Sequence, residues 1–427
     1  HYLQQTGDTA ARQNAYPEAI IALSKGLALL TTLPDSAARA RHELALQLAL
    51  GALLLAMKGR TAPEVGEAYT RAHALGQQVG EPLQCCQALW GLVQFHAAMG
   101  QLRSAGELSQ QLFHLAQQQS DPKLVLDGHL ALGHVLLYQG DFPAARTHLE
   151  YSLDRFNPLQ STIPTFRDGF VSEVFPLCRL VQALWPLGYA DQAWKRVQEA
   201  LVLARHAEHP LSQLYAELWA ALLSQWCRDV AATQAHAETA MDLATIHGSA
   251  LRVEQGRILC GWALVMQGEP TTGMAHMHQG WVASQSLGGP PLLNFYWLSM
   301  LAEAHGRMGR PEVGLTVLAE ALTLLATTEA RWWEAELYRL KGALLLQLPR
   351  PDVPQAETCV RQALEVARGQ QAKTLELRAA LTLSRLWQQQ SKQADAQALL
   401  APIYGWFTEG FDTADLQEAK SLLADLT

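Results

Sequence analysis

Fifteen histidines lie along the 427 residues, and their spacing decides whether any set could hold a metal ion. His206 and His209 are three apart near a predicted helix end, His276 and His278 are two apart, and His129 and His134 are five apart. Residues two apart on a helix project from different faces. None of these histidines has a carboxylate nearby at ligand spacing, so they read as surface or interface histidines and no metal centre is expected. The acidic pairs Glu334/Glu336 and Asp412/Asp415 read as solvated helix faces and caps. The sequence holds no GxxxxGK[ST] phosphate loop, no GxGxxG after a strand, no HExxH and no GxSxG elbow. The chain is therefore expected to be non-catalytic and to need no cofactor.

Twelve tryptophans are more informative, because a large ring either fills a gap between helices or anchors a ligand. What positions them is a repeat. The clearest unit begins at His129, with Leu132-Gly133 in a first helix, Gly140 at the turn, Phe142 after it, and Ala145 and Leu149 in a second helix. This is the tetratricopeptide frame, in which small residues permit close helix approach and bulky ones fill the space beside them. The frame recurs with small or apolar residues at Gly26, Ala72, Leu112, Ser152, Ala200, Ala240, Gly280, Ala321, Ala363 and Ile403. These mark ten units with a period of about 40, longer than the usual tetratricopeptide repeat of about 34. Gly100, Gly140, Gly188, Gly268 and Gly309 hold matching turn positions, and Pro143, Pro270 and Pro311 follow turns where proline suits a first helical turn. No period-two run of β-branched residues suggests a sheet. The expected fold is all-α: a tetratricopeptide-like, right-handed superhelical solenoid of about ten helix-turn-helix repeats over residues 1–404, ended by a C-terminal cap over 405–427.

In such a stack the first helix of each unit lines a concave groove. Counting from the Gly133 position, groove slots fall at Trp90, Gln94, Asp127, His134, Gln182, Trp185, Tyr215, Gln255, Trp262, Tyr296, Glu303, Glu336 and Arg339. Aromatic and polar groups together suit a protein or peptide ligand. Two connections are long, at 58–63 and at 157–176; the second carries Phe166, Phe170 and Phe175 and is read as a loop tucked onto the helices, with ligand contact as the alternative. After the tenth unit, Trp406, Phe407 and Phe411 precede an amphipathic helix at 414–426, which Asp412 or Thr413 can cap. A solenoid needs a terminal element with a polar outer face, and these aromatics are expected to cover its last apolar side.

A formal charge of −8 with no Lys/Arg cluster argues against nucleic acid. No apolar stretch reaches the roughly 18–20 residues that cross a bilayer. Six cysteines without a CxxC pair read as buried free thiols in a reducing cytoplasm. The chain opens on His1 already in helical sequence, without a signal-peptide pattern, and reads as a segment of a longer protein.

One stretch is more specific. Arg331-Trp332-Trp333-Glu334-Ala335-Glu336-Leu337-Tyr338-Arg339-Leu340-Lys341-Gly342, then Gln371-Ala372-Lys373-Thr374-Leu375-Glu376-Leu377-Arg378, then Leu399-Leu400-Ala401-Pro402-Ile403-Tyr404-Gly405-Trp406-Phe407, with Lys58-Gly59 and Ala62-Pro63-Glu64-Val65 near the start, resemble the C-terminal repeat region of large bacterial signalling proteins. In those, a class III adenylate/guanylate cyclase or another output domain precedes a STAND-type AAA ATPase, which precedes the repeats. The resemblance implies a sensing module that regulates an ATPase upstream on the same polypeptide, with that family's catalytic residues in domains outside this chain. The alternatives are a stand-alone scaffold for protein assembly, and an effector-binding domain like that of the maltose-regulon transcriptional activator.

Overall fold

The computed structural model describes residues 16–119, 121–153, 166–167, 170–171 and 173–426. Among the described residues twenty helices follow one another: α1 Tyr16–Leu30, α2 Ala37–Lys58, α3 Pro63–Val79, α4 Pro82–Ala98, α5 Leu102–Gln119, α6 Pro122–Gln139, α7 Phe142–Ser152, α8 Val174–Leu184, α9 Ala190–His206 and α10 Pro210–Trp226. The second half holds α11 Val230–Ile246, α12 Ala250–Met266, α13 Pro270–Ser286, α14 Pro291–Arg307, α15 Pro311–Thr327, α16 Glu334–Leu346, α17 Val353–Gly369, α18 Lys373–Gln389, α19 Gln393–Tyr404 and α20 Ala414–Asp425. Each helix packs on the next, giving a tetratricopeptide-like solenoid. The ten marker residues fall in the odd-numbered helices α1 to α19, the second helix of each unit. The even-numbered ones are first helices, and α20 stands where the first helix of an eleventh unit would stand.

One departure from an all-helical chain lies between α7 and α8. There β1 (Phe166–Arg167) and β2 (Phe170–Val171) pair antiparallel, Phe166 opposite Val171. So short a pairing leaves no period-two run for a sequence search to find, and residues 168, 169 and 172 lie outside the described residues. Residues 157–165 of that long connection lie outside the described residues.

The turn inside a unit has a local cause. At Gly140 the chain enters the left-handed region (φ 82°), its N–H bonds to Leu137 O at 3.1 Å, and Asp141 N–H reaches back to Leu136 O at 3.0 Å. This satisfies carbonyls that a helix end leaves open. Asp141 then caps α7, accepting from Ala144 N–H at 3.2 Å. The close approach is equally specific: a Cβ on Gly133 would stand 2.7 Å from Leu149 Cγ and 3.3 Å from Ala145 O.

The decisive feature is that the superhelix closes on itself. Residues separated by 226 and 227 positions touch: Arg103 reaches Glu329 at 3.1 Å, and the Thr61 hydroxyl donates to Gly288 O. That separation spans between five and six units of about 40 residues, so about that many complete one superhelical turn. The seam uses carbonyls at the C-terminal ends of first helices. Tyr138 O, in the last turn of α6, accepts from Arg331 N–H at 2.7 Å. Just after α8, Trp185 O accepts from the Thr374 hydroxyl at 2.6 Å and Pro186 O from Thr374 N–H at 3.0 Å. Trp226 O, ending α10, accepts from the Arg378 guanidinium, a cation where the helix dipole favours one. Beneath the seam Trp185, Trp226, Tyr296, Trp332 and Trp333 form one aromatic cluster, with Trp185–Trp226 centroids 5.4 Å apart and Trp332–Trp333 5.2 Å apart.

The C-terminal element belongs to this seam. Phe407, Leu416, Ala419, Leu422 and Leu426 are buried against α18 and α19. Trp406 and Phe411, expected to cover the last repeat, are 38% and 44% exposed. Trp406 instead leans across the seam over Gly188, where a Cβ would meet its ring at 2.6 Å, with Lys373 Nζ 5.7 Å above it. Thr413 holds the cap position of α20, but its hydroxyl donates to Gly410 O at 2.6 Å and does not cap the helix.

Candidate functional site in the superhelix interior

Among the described residues, two cavities lie along the inner faces of the first helices and a third at turns beside them. The smallest, about 70 Å³, lies between α4, α6, α8, α10, α12 and α14. Its polar lining repeats a pairing of arginine with glutamine. Arg60 Nε donates to Gln94 Oε1 at 3.1 Å, Arg179 to Gln182 Oε1 at 3.0 Å, and Arg252 to Gln255 Oε1 at 2.7 Å. The last two pairs are three residues apart, neighbours on one helix face. Aromatic rings separate the guanidiniums. Arg60 and Arg179 stand 5.3 and 5.0 Å from the Phe175 centroid, and Arg179 and Arg252 stand 6.0 and 5.9 Å from that of Tyr215. Arg179 also donates to the Tyr138 hydroxyl at 2.6 Å and lies 4.6 Å over Trp219. Burial together with Arg179 and Arg60 holds His134 well below its ordinary range, so its ring is neutral.

The second cavity, about 370 Å³, is lined by α12, α14, α16, α18 and α20. Here the buried charges are paired. Glu336 pairs with Arg339 at 2.7 Å and with Arg378 at 3.6 Å; Arg378 pairs with Asp415 at 2.8 Å; Arg228 reaches Asp415 at 3.3 Å and Glu418 at 2.7 Å. Glu336 and Asp415 are 5% and 3% exposed, so one member of each acidic pair read from the sequence as a solvated face or cap is buried, while Asp412 is exposed and Glu334 half-buried. For Asp415 the cations Arg228 and Arg378 come from other units; Glu336 has Arg339 three residues along its own helix and takes only Arg378 from another unit. Burial pushes the Glu336 carboxyl up, but Arg339 and Arg378 outweigh it and hold it below the usual carboxylate range. Arg228 carries a left-handed backbone (φ 62°) at a turn position that is glycine in five other units, and from there its side chain reaches α20.

The third cavity, about 360 Å³, opens beside the first and shares Arg60, Tyr215, Arg252 and Pro290 with it.

The groove residues expected from the sequence divide accordingly. Gln94, His134, Gln182, Tyr215, Gln255 and Tyr296 line the smallest cavity; Trp262, Glu303 and Arg339, with Glu336, line the second. Trp90, Asp127 and Trp185 line none of the three. Trp90 packs edge-on to Phe175 at 5.8 Å, and Trp185 is sandwiched between Trp226 and Arg378. Trp262 is 2% exposed with its Nε1 donating to Glu303 at 3.0 Å, so its ring is chiefly packing. Slot counting missed Arg60, Arg179 and Arg252. The Arg-x-x-Gln spacing shared by α8 and α12, in α8 inside an otherwise apolar helix, is the signal that could have found two of them.

Among the described residues no group of three or more His, Cys, Asp or Glu stands together as a metal site, and no helix is long and apolar enough to cross a membrane.

No protein-family model and no curated protein sequence matches the chain. Solved structures match its fold. A Rap protein complexed with Competence and Sporulation Factor aligns with a TM-score of 0.65 at 11% identity, over 86% of this chain and 97% of that one. The Rap conjugation gene regulator of plasmid pLS20, in complex with the Phr* peptide, aligns with a TM-score of 0.53 at 13% identity, over 88% and 95%. A signal-transduction ATPase with a tetratricopeptide repeat sensor from Pyrococcus horikoshii aligns over 89% of this chain and 55% of that one at 12% identity. Its TM-score of 0.44 is too low to carry an argument. At these identities the likeness is one of fold: a tetratricopeptide-like repeat solenoid.

Proposed function

We infer that the chain is a non-catalytic sensing module that takes a peptide or protein segment into the interior of its superhelix and passes that occupancy to an ATPase domain on the same polypeptide. The observation that carries this is the interior itself: a cavity of about 370 Å³ walled by the first helices of successive units and lined by aromatic and charged side chains, with another of about 360 Å³ at the turns beside Arg60, Tyr215 and Arg252. Pockets of roughly 300–1,000 Å³ with a few convergent polar groups are the usual size and make-up of ligand sites. The two Rap structures above, each solved with a bound factor or peptide, support the same reading. The resemblance of residues 331–413 to the repeat region of cyclase- and ATPase-bearing signalling proteins supports the upstream partner and a cytoplasmic setting.

The seam supplies a mechanism. Its links are hydrogen bonds and ion pairs at helix ends above one shared cluster of aromatic rings, so the open and closed turns differ in a defined set of polar and aromatic contacts. A ligand that spans both sides of the interior binds the closed turn better, and it shifts the equilibrium by that difference in affinity.

The test is selection of a random displayed-peptide library on the immobilised chain, followed by titration of the selected peptides against the parent and Arg307→Ala, a residue that lines the cavity of about 370 Å³. Selected peptides that lose affinity for the folded variant support the reading. A library that yields no binder, or binders indifferent to every lining residue, defeats it.

A further inference from the structure

The chain carries a formal charge of −8, yet the cavity of about 370 Å³ has more cations than anions in its lining. Arg228, Arg307, Arg339, Arg378 and Arg385 stand against Glu303, Glu336, Asp415 and Glu418. Among the described residues that lining includes no lysine, so every cation is a guanidinium fork, the shape that matches a carboxylate.

These charges lie in two layers. At the floor Glu336 and Asp415 are enclosed by Arg339, Arg378 and Arg228, and removing any of these would strand a buried charge. At the mouth the partners meet water. The Arg385 side chain is 53% exposed and that of Glu418 18%. Glu418 stands there between two arginines, Arg228 at 2.7 Å and Arg385, which belong to opposite sides of the seam. An ion pair open to solvent contributes little to stability, so one carboxylate can be exchanged for another at small cost. Glu303 is engaged elsewhere, accepting from Trp262 Nε1 at 3.0 Å. Four arginines therefore share three acids. The fifth, Arg307 at the end of α14, lines the same cavity, is exposed, and among the described residues makes no ion pair.

We propose that the mouth of this cavity recognises a carboxylate of a peptide ligand, and that Glu418 is its internal stand-in. The incoming carboxylate takes the place of Glu418 between Arg228 and Arg385, with Arg307 as the further cation. The bridge across the seam survives the exchange, so a bound ligand keeps the turn closed. The proposal rests on the peptide-binding reading above and names the group recognised: an acidic side chain, or the same group at a peptide C-terminus.

The test measures retention of random pentapeptide pools on the intact chain at constant ionic strength. Two pools have blocked ends and a central Glu or a central Gln; a third has a central Gln and a free C-terminal carboxylate. Glu418→Gln vacates the position, so its preference for the Glu pool over the Gln pool should exceed that of the parent at least about tenfold, the factor that a hydrogen bond to a charged group supplies. Arg307→Gln should lower the preference of the parent, whereas Arg310→Gln, exposed nearby but outside the lining, should leave it unchanged. A gain confined to the free-terminus pool supports the site and assigns it to a C-terminus. Equal retention of all pools by Glu418→Gln, or a preference that this variant lowers or leaves as it was, overturns the proposal and leaves peptide binding standing. Should Glu418→Gln fail to fold, Arg307→Gln decides alone, and an unchanged preference overturns the site. No retention of any pool by parent or variants overturns both readings.

Discussion

Arg378 is the residue on which the closed superhelix depends most. Its guanidinium is 9% exposed and meets three elements at once: Trp226 O at the end of α10, Asp415 Oδ2 of α20 at 2.8 Å, and Glu336 Oε1 of α16 at 3.6 Å, with the Trp185 ring 4.9 Å beneath. Arg378→Met keeps much of the volume and removes the charge. Breaking a buried ion pair by deleting one partner costs about 3–5 kcal/mol, because the other charge is left in a poor solvent. Two remaining cations soften this, Arg228 at 3.3 Å from Asp415 and Arg339 at 2.7 Å from Glu336, so the lower end applies, about 3 kcal/mol. Urea unfolding followed by tryptophan fluorescence reads the change directly, since Trp185, Trp226 and Trp333 surround the site. Adding Asp415→Asn to the variant should recover part of the loss, a coupling of about 1–3 kcal/mol in a double-mutant cycle. The pH dependence has a definite sign. Glu336 has a folded pKa below its ordinary 4.5, so its contribution is fully present above that value and is lost as pH falls through the folded one. Without Arg378 the carboxyl titrates higher, so parent and variant converge in stability as pH drops below about 4. A loss under about 1 kcal/mol at neutral pH, or a gap that widens in acid, would refute the reasoning.

Other expectations follow from single sites. Gly133→Leu places a side chain where a Cβ already stands 2.7 Å from Leu149 and should lower stability by about 1–3 kcal/mol, whereas Gly369→Ala, with nothing within 4 Å, should be neutral or gain up to about 1 kcal/mol; thermal melts of the pair check both. Deleting residues 405–427 uncovers the apolar faces of α18 and α19 and removes the Asp415, Glu418 and Glu409 contacts to the opposite turn, so size-exclusion chromatography should show self-association; a monodisperse, equally stable product would contradict the packing described. The six cysteines are buried, and burial raises Cys227 and Cys260 to about 12 and Cys86 to about 11, so a thiol reagent should label the native chain only after denaturant is added. Prompt labelling of the native protein would count against that burial.

The sequence by itself determined the repeat. Turn glycines, prolines in first helical turns and small residues at 40-residue spacing act through contacts within one unit, between residues roughly 12–20 apart, such as Gly133 with Ala145 and Leu149. Such local constraints leave a periodic trace, which is why the ten second helices and many inward-facing slots were legible. Slot counting also placed Gln94, Gln182 and Gln255 on the inner face. What it could not give is what those slots meet. That depends on the small rotation between successive units, which accumulates until residues about 190–230 apart touch, as Arg331 does Tyr138, Thr374 does Trp185, and Glu409 does Gln192. The angle is set by side-chain packing at every interface and has no signature at any one position. Only the closed turn turns Glu336 and Asp415 from surface acids into buried ions, makes Trp185 core instead of groove wall, and brings Arg60, Arg179 and Arg252, from three different units, to one cavity.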